Sequence, residues 1–111
     1  MAKNYKTKIF MRLFVFFDLP VTRKKQRRIA TRFRKELLNE GFVMLQFSVY
    51  CRTCRGQDIV DREIRRIKQI IPSEGNVRIL QVTDKQYGSI LFLVGKPKKE
   101  ESLGCEQLLL F

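Results

Sequence analysis

An α/β fold of two layers, with both helices on one face of an antiparallel sheet, follows from three observations on this sequence. Two segments carry apolar residues at helical spacing, at least four others read as strands, and the two kinds alternate along the chain. The length of 111 residues fits one domain of about 100–150 residues. A hydrophobic content of 44%, with 11% aromatic, is enough apolar material for a core and argues against disorder as the global state.

Ile9 to Phe17 is apolar at eight of nine positions and rich in Phe, which predicts a central strand buried on both faces. Asp18 stands where that strand ends. Thr22 is the expected N-cap of a first helix, in which Ile29, Ala30, Phe33, Leu37 and Leu38 recur at helical spacing until Gly41 supplies a C′ stop. From Val43 the period is two. Val43, Leu45, Phe47, Val49 and Cys51 fall on one side and Met44, Gln46, Ser48 and Tyr50 on the other, predicting one long strand.

A turn through Arg55 and Gly56 leads to Asp58, the expected N-cap of a second helix. Val60, Ile64, Ile67 and Ile71 then follow at i, i+4, i+7 and i+11 before Pro72 ends it. Ser73 to Asn76 reads as a turn, Val77 to Thr83 as a strand, Asp84 to Gly88 as a connector, and Ile90 to Val94 as a strand buried on both sides. Gly95 to Glu101 is a charged linker, and Gln107 to Phe111 is strand-like again.

The two helices can cover only one side of such a sheet. The other side is therefore expected to meet a second protomer about a two-fold axis, with Leu108 to Phe111 adding a strand to the partner's sheet edge; a monomer whose tail pairs with its own sheet is the alternative.

Lys and Arg number 23 against 11 Asp and Glu, a formal net charge of +12, and the chain has no histidine. A Ser-His-Asp triad, a Cys-His pair, an HExxH zinc helix and imidazole acid/base chemistry are therefore excluded. The charge points to a polyanion, either nucleic acid or an anionic membrane surface. It is also concentrated, because Arg23, Lys24, Lys25, Arg27, Arg28, Arg32, Arg34 and Lys35 place eight cations on the first helix against Glu36 and Glu40. The second helix instead interleaves Asp58, Asp61 and Glu63 with Arg62, Arg65, Arg66 and Lys68, an ordinary solvated face. Since Phe33 and Leu37 are needed for the core, the first helix keeps no apolar face for a membrane, and nucleic acid is the expected ligand through charge-to-phosphate contacts.

No apolar run approaches the ~20 residues that span a bilayer. Lys3, Lys6 and Lys8 before Ile9 to Phe17 look superficially like a signal peptide, but Arg12 interrupts the run and Asp18-Leu19-Pro20 replaces a cleavage site, so a cytoplasmic protein is expected. Cys51, Cys54 and Cys105 are few and odd in number, as in a reducing compartment. The lone Cys51-Arg-Thr-Cys54 spacing, with one further thiol and no His, reads as ordinary strand-end cysteines in preference to a zinc site or redox pair. Asp18, before Leu19-Pro20, is on position alone a turn-forming residue. Yet Mg²⁺ commonly needs only one or two carboxylates, so two copies of Asp18 across a dimer axis would suffice to hold it and activate water without histidine.

Four segments together carry a family resemblance. Met11 to Pro20, the arginine-rich helix ending Phe33-Arg34-Lys35-Glu36-Leu37-Leu38, Gly41 to Tyr50, and Val82-Thr83-Asp84-Lys85-Gln86-Tyr87 resemble the small Cas-two subunit of CRISPR adaptation, most closely the versions that accompany type II systems. The match covers most of Met11 to Gly95. It implies residues 1–10 as an N-terminal extension, 11–95 as a ferredoxin-like domain, and 96–111 as linker and C-terminal strand. It further implies a homodimer and a complex with the CRISPR integrase that captures double-stranded DNA fragments and inserts them as spacers. Family members are also described as metal-dependent nucleases cutting RNA or double-stranded DNA, and the resemblance makes Asp18 the catalytic Mg²⁺ ligand, paired with its symmetry mate. A scaffold without catalysis, a Mg²⁺-dependent endonuclease, and a toxin-type RNase acting independently of spacer integration are the three functional expectations.

Overall fold

The computed structural model describes residues 9–99. Strand β1 (Phe10–Asp18) leads into helix α1 (Lys24–Asn39), then β2 (Val43–Gln46), β3 (Val49–Arg55), helix α2 (Gln57–Ile70), β4 (Asn76–Thr83) and the single-turn α3 (Asp84–Tyr87). The four strands form one sheet in the order β2-β3-β1-β4, and each neighbouring pair is antiparallel. This is the two-layer α/β fold expected from the sequence, with a ferredoxin-like strand order.

Side-chain alternation along β1 sets the two faces. Leu13, Val15 and Phe17 turn toward the helices and join Phe33 and Leu37 of α1, Val60 and Ile67 of α2, and Phe42, Tyr50 and Cys54 in one core. Each fully buried side chain of this size contributes about 1.5–3 kcal/mol. Phe17 meets Phe33 edge-on at 5.1 Å and stacks on Tyr50 at 5.6 Å, so the end of β1 is fixed by aromatic contacts one residue before Asp18. Phe14 and Phe16 turn to the opposite, open face. There Phe14, Cys51 and Tyr87 form a second cluster with Phe16, Leu45, Val49 and Val82 around it. Helix α3 lies on this face because Arg12, itself buried, donates to Asp84 at 2.8 Å and packs its guanidinium 4.1 Å from the Tyr87 ring. Burial alone would lower the Arg12 pKa, but the hydrogen bond and charge of Asp84 outweigh it, so the net shift is upward.

Several expectations from the sequence are corrected. Val43 to Cys51 is two strands, because the chain reverses at Phe47 and Ser48, where Ser48 takes φ 66°. The face assignment survives the reversal, since Val43 pairs with Cys51 and both lie on the open side. Ile90 to Val94 is not a strand, and Leu91, Leu93 and Val94 are 83%, 91% and 93% exposed. The reason is topological: β1 is already flanked by β3 and β4, which leaves no interior sheet position. The expected connector from Asp84 is α3, capped by Thr83, whose hydroxyl accepts from the Gln86 N–H at 3.0 Å.

The helix caps also shift. Arg23, not Thr22, is the N-cap of α1, its N–H donating to the Gln26 side chain at 2.9 Å, and Gly56, not Asp58, caps α2. Ile71 leaves the apolar stripe as the extended C-cap of α2 and is 47% exposed. Gly41 ends α1 as expected. At φ 93° it donates to the Leu38 carbonyl while Phe42 donates to Leu37, the paired bonds of a Schellman stop. Residues 107–111, with the strand expected to cross to a partner, lie outside the described residues.

Candidate nucleic-acid interface and the Asp18 cleft

Helix α1 faces the core with Gln26, Ala30, Phe33 and Leu37. Lys24, Arg27, Arg28, Arg32 and Lys35, at i, i+3, i+4, i+8 and i+11, therefore fall on the opposite side, where with Thr31 they line one shallow groove of ≈ 490 Å³. Of the remaining cations, Arg34 flanks this stripe on the side toward Asp18 and Lys25 on the other, while Arg23 stands at the N-cap and comes within 3.8 Å of Glu74. Local partners restrain three of the arginines. Arg27 donates to the Val21 and Thr22 carbonyls at 3.2 and 2.7 Å, Arg32 pairs with Glu36 at 3.0 Å, and Arg34 donates to the Thr31 hydroxyl at 3.3 Å. Lys24, Lys25, Arg28 and Lys35 have no ion pair or side-chain hydrogen bond among the described residues.

This arrangement runs against helix stability. The first turn of α1 has no acidic residue and begins Arg23-Lys24-Lys25, so cations sit at the positive end of the helix dipole, where anions are stabilising by about 0.3–1 kcal/mol each. The same end and the same stripe are favourable for phosphates.

Asp18 ends β1 opposite Asn76 of β4, with its side chain exposed. Two backbone features hold it. The Phe17 N–H donates to the Ser48 carbonyl at 3.1 Å, which brings the β2–β3 turn against the strand end. On the other side Gly75, at φ 93°, passes so close that a Cβ would lie 2.5 Å from the Asp18 carbonyl oxygen. Asp18 consequently lines two adjoining clefts. One, of ≈ 360 Å³, runs toward α1 past Phe47, Arg27, Thr31 and Arg34. The other, of ≈ 350 Å³, opens over the bare sheet face between Phe16, Phe47, Val49, Asn76 and Arg78.

The Asp18 carboxylate makes no side-chain hydrogen bond or ion pair among the described residues, so it is not spent on a local turn. It is available to a hard cation. Among the described residues no group of three or more His, Cys, Asp or Glu could hold a metal ion, so one chain supplies a single carboxylate. That fits Mg²⁺ held jointly with water, phosphate and a second copy of Asp18, and does not fit an all-protein cage.

Sequence reasoning missed Phe47, Asn76 and Arg78. Arg78 lies opposite Phe16 and so shares the open face with Asp18. Its signal was present, since it is the one charged residue in Asn76 to Thr83. Glu63, expected on a solvated face, is instead 2% exposed and pairs with Arg52 at 3.1 Å, with its second oxygen lacking a hydrogen-bond partner. Burial pushes the Glu63 carboxyl above its ordinary range; Arg52 pulls it down and nearby Glu40 pushes it up again. Cys51 and Cys54 point to opposite faces of β3, into the open-face cluster and the helix-side core respectively, so they cannot share an ion or a disulfide. Burial raises the Cys54 thiol, with Arg52 opposing, which makes it inert.

No helix among the described residues is long and apolar enough to cross a membrane. The family model described as CRISPR associated protein Cas2 matches residues 11–90. A protein of Acidovorax ebreus (strain TPSY) named CRISPR-associated endoribonuclease Cas2 is 48% identical over 102 residues, covering 91% of this chain and 100% of its own length. A protein of the same name from Ligilactobacillus salivarius (strain UCC118) is 42% identical, with 90% and 99% covered. Among solved structures, one titled "Crystal structure of cas2" superposes with a TM-score of 0.56 at 23% identity, over 81% of this chain and 92% of that one, and supports the fold.

Proposed function

Because the chain belongs to the CRISPR associated protein Cas2 family, we propose that it acts in CRISPR adaptation as a homodimeric nucleic-acid scaffold, working in the cytoplasm with the CRISPR integrase that captures and inserts spacers. The observation that carries this reading is the stripe of Lys24, Arg27, Arg28, Arg32 and Lys35, aimed away from the core and only partly neutralised. Such a stripe grips double-stranded DNA by its phosphates without reading bases. The bare sheet face, with Leu80 and the Ile90 to Val94 segment exposed, supports a second copy packing there.

A second reading rests on the Asp18 carboxylate, which has no side-chain partner among the described residues, and on the relatives' name of endoribonuclease. In it Asp18 and its symmetry mate hold Mg²⁺, which when bound supplies Lewis-acid stabilisation of a phosphodiester and a more acidic water. The chain's own contribution is positional: Phe17, Gly75 and Ser48 fix Asp18 at the strand end, and Arg27 and Arg34 bring the phosphate backbone to the adjoining cleft. With no histidine to titrate near neutrality, RNA cleavage should rise toward alkaline pH, and an optimum near pH 6 would refute this chemistry.

Spacer acquisition in cells separates the readings, comparing wild type with Asp18→Ala and with Arg28→Glu/Lys35→Glu. Normal acquisition by Asp18→Ala together with failure of the charge reversal is the outcome expected of a scaffold. Normal acquisition by the charge-reversed protein would remove α1 from the reading. Mg²⁺-dependent RNA cleavage by wild type, lost in Asp18→Ala and on chelation, would establish the second.

A further inference from the structure

Where α1 ends against α2, on the helical side of the sheet, charged groups gather around one buried carboxyl. Glu63 of α2 is 2% exposed. Its Oε2 faces Arg52 Nη1 of β3 at 3.1 Å and, less closely, Arg62 Nε at 3.7 Å. Its Oε1 has no hydrogen-bond partner among the described residues, although the carboxylate of Glu40, the C-cap of α1, stands within hydrogen-bonding reach of Glu63. Glu40 is held in place by Arg66, which donates to its Oε2 at 2.7 Å. Arg52 reaches the cluster by passing Gly41, where at φ 93° a Cβ would lie 3.0 Å from its Nε.

Two ionised carboxylates offer acceptors only, so Glu63 and Glu40 cannot bond to each other in that state, and a buried oxygen left unpaired is costly. One proton removes the conflict by turning an acceptor into a donor. The surrounding charges do not remove it, because Arg52 and Arg62 both approach Oε2. On this side of the sheet β1 brings only the apolar Met11, Leu13, Val15 and Phe17, and β3 adds the buried thiol of Cys54. Glu36, one turn before Glu40 on α1, is paired with Arg32 at 3.0 Å. Enclosure decides which residue carries the proton: the Glu40 side chain is 20% exposed and bonded to Arg66, so the negative charge rests there.

We propose that Glu63 and Glu40 share one proton, carried on Glu63 Oε1 and donated to Glu40, which ties the end of α1 to α2 and is released to solvent as pH rises. Release leaves two carboxylates facing each other, and their repulsion loosens the joint between the helices. Burial raises the Glu63 carboxyl and Glu40 raises it further against the pull of Arg52, in keeping with a proton retained where a free carboxyl has lost it. Lys35 stands just over one turn before Glu40, so the shared proton steadies one end of the cationic stripe. The inference holds whether the protein cuts nucleic acid or only binds it.

The test is infrared spectroscopy of the full chain across a pH series, taken as the difference between wild type and Glu63→Gln. The carbonyl stretch of a protonated carboxylic acid should persist above the free glutamic acid range of about 4.3, and Glu40→Gln, which replaces the acceptor with a group able to donate, should move its disappearance to lower pH. Hydrogen exchange gives a second measurement at the Gly41 and Phe42 amides, which bond to the Leu38 and Leu37 carbonyls at the end of α1. The closed joint binds the proton more tightly than the open one, so their protection should fall with rising pH by up to about tenfold per pH unit, the limit for one proton. In Glu63→Gln it should be flat, because the amide donates to Glu40 at every pH. Absence of the stretch above the free range would overturn the proposal, leaving Glu63 ionised. A stretch that persists but does not move in Glu40→Gln would also overturn it, because burial alone would then hold the proton.

Discussion

Neutralising Lys24, Arg28 and Lys35 together is the most incisive perturbation of α1, because these three stripe cations have no partner among the described residues to release or to leave stranded. The triple change to Gln keeps helix propensity nearly constant and removes three positive charges, taking the formal net charge from +12 to +9, that is 12 − 3. Each phosphate contact on duplex DNA contributes about 0.9 to the slope of log affinity against log salt, so three contacts contribute about 2.7 per protomer. Between a 1 M reference and 0.1 M salt that is about 2.7 decades, a loss of roughly 500-fold in affinity. If both protomers of a dimer lie on one duplex, the slope falls by about twice as much. Fluorescence anisotropy with a labelled duplex across a salt series reads both quantities.

The control is Arg65→Gln/Lys68→Gln on α2, which removes charge of the same sign from a face given no ligand. Exposed charges beyond a Debye length of about 10 Å are screened, so this pair should move the slope by less than about 0.5. An unchanged slope in the triple variant, or an equal loss per charge in the α2 variant, would refute a localised interface and leave only the general attraction of a basic protein for polyanions.

Three further outcomes test other parts of the structure. Gly75→Ala forces a Cβ to 2.5 Å from the Asp18 carbonyl and to 2.9 Å from Leu19 at φ 93°, so urea unfolding should show a loss of about 1–3 kcal/mol, and a loss under about 0.5 kcal/mol would contradict the close approach. Arg12→Ala leaves Asp84 and Tyr87 without their buried partner. Because Asp84 is part-exposed, the cost should be about 2–3 kcal/mol, below the roughly 3–5 of a fully buried pair, and near-wild-type stability would show that Arg12 does not hold α3 in place. Glu63 binds its proton more tightly folded than unfolded, so its contribution to stability is largest below about pH 4.3 and declines as pH rises through its elevated pKa. Glu63→Gln cannot ionise; the melting-temperature difference, variant minus wild type, should therefore grow more positive from acid to neutral pH, and a flat or falling difference would contradict the burial argument.

The fold class was legible because the helices advertise themselves: Phe33 and Leu37, then Val60 and Ile67, fall at spacings that only a helix puts on one face. The hairpin at Phe47 and Ser48 was not, since neither residue carries the Asn-Gly or Gly signature of a tight turn and both continue the alternation of the flanking strands. Ile90 to Val94 misled for a different reason. An apolar run shows that a segment must be covered, and it does not reveal whether the covering lies in the same chain. At the site, Asp18 and the α1 cations were visible as residue types, whereas Arg78 needed the register of β4 against β1 before its face was known. Glu63, on α2, looked like one more surface charge because its partner Arg52 is eleven residues away on strand β3, a pairing that no local spacing shows.

Asp18 sits at the rim of the sheet, and the cationic stripe of α1 looks out from the far side of the helical layer. A stiff duplex laid along the outside of α1 does not reach the open sheet face of the same protomer. On the two proposed readings, holding and cutting are thus separable traits under selection. A lineage can let the rim residues drift while its helix stays basic, or keep both, and members that share this backbone can differ in whether they cleave without differing in whether they bind.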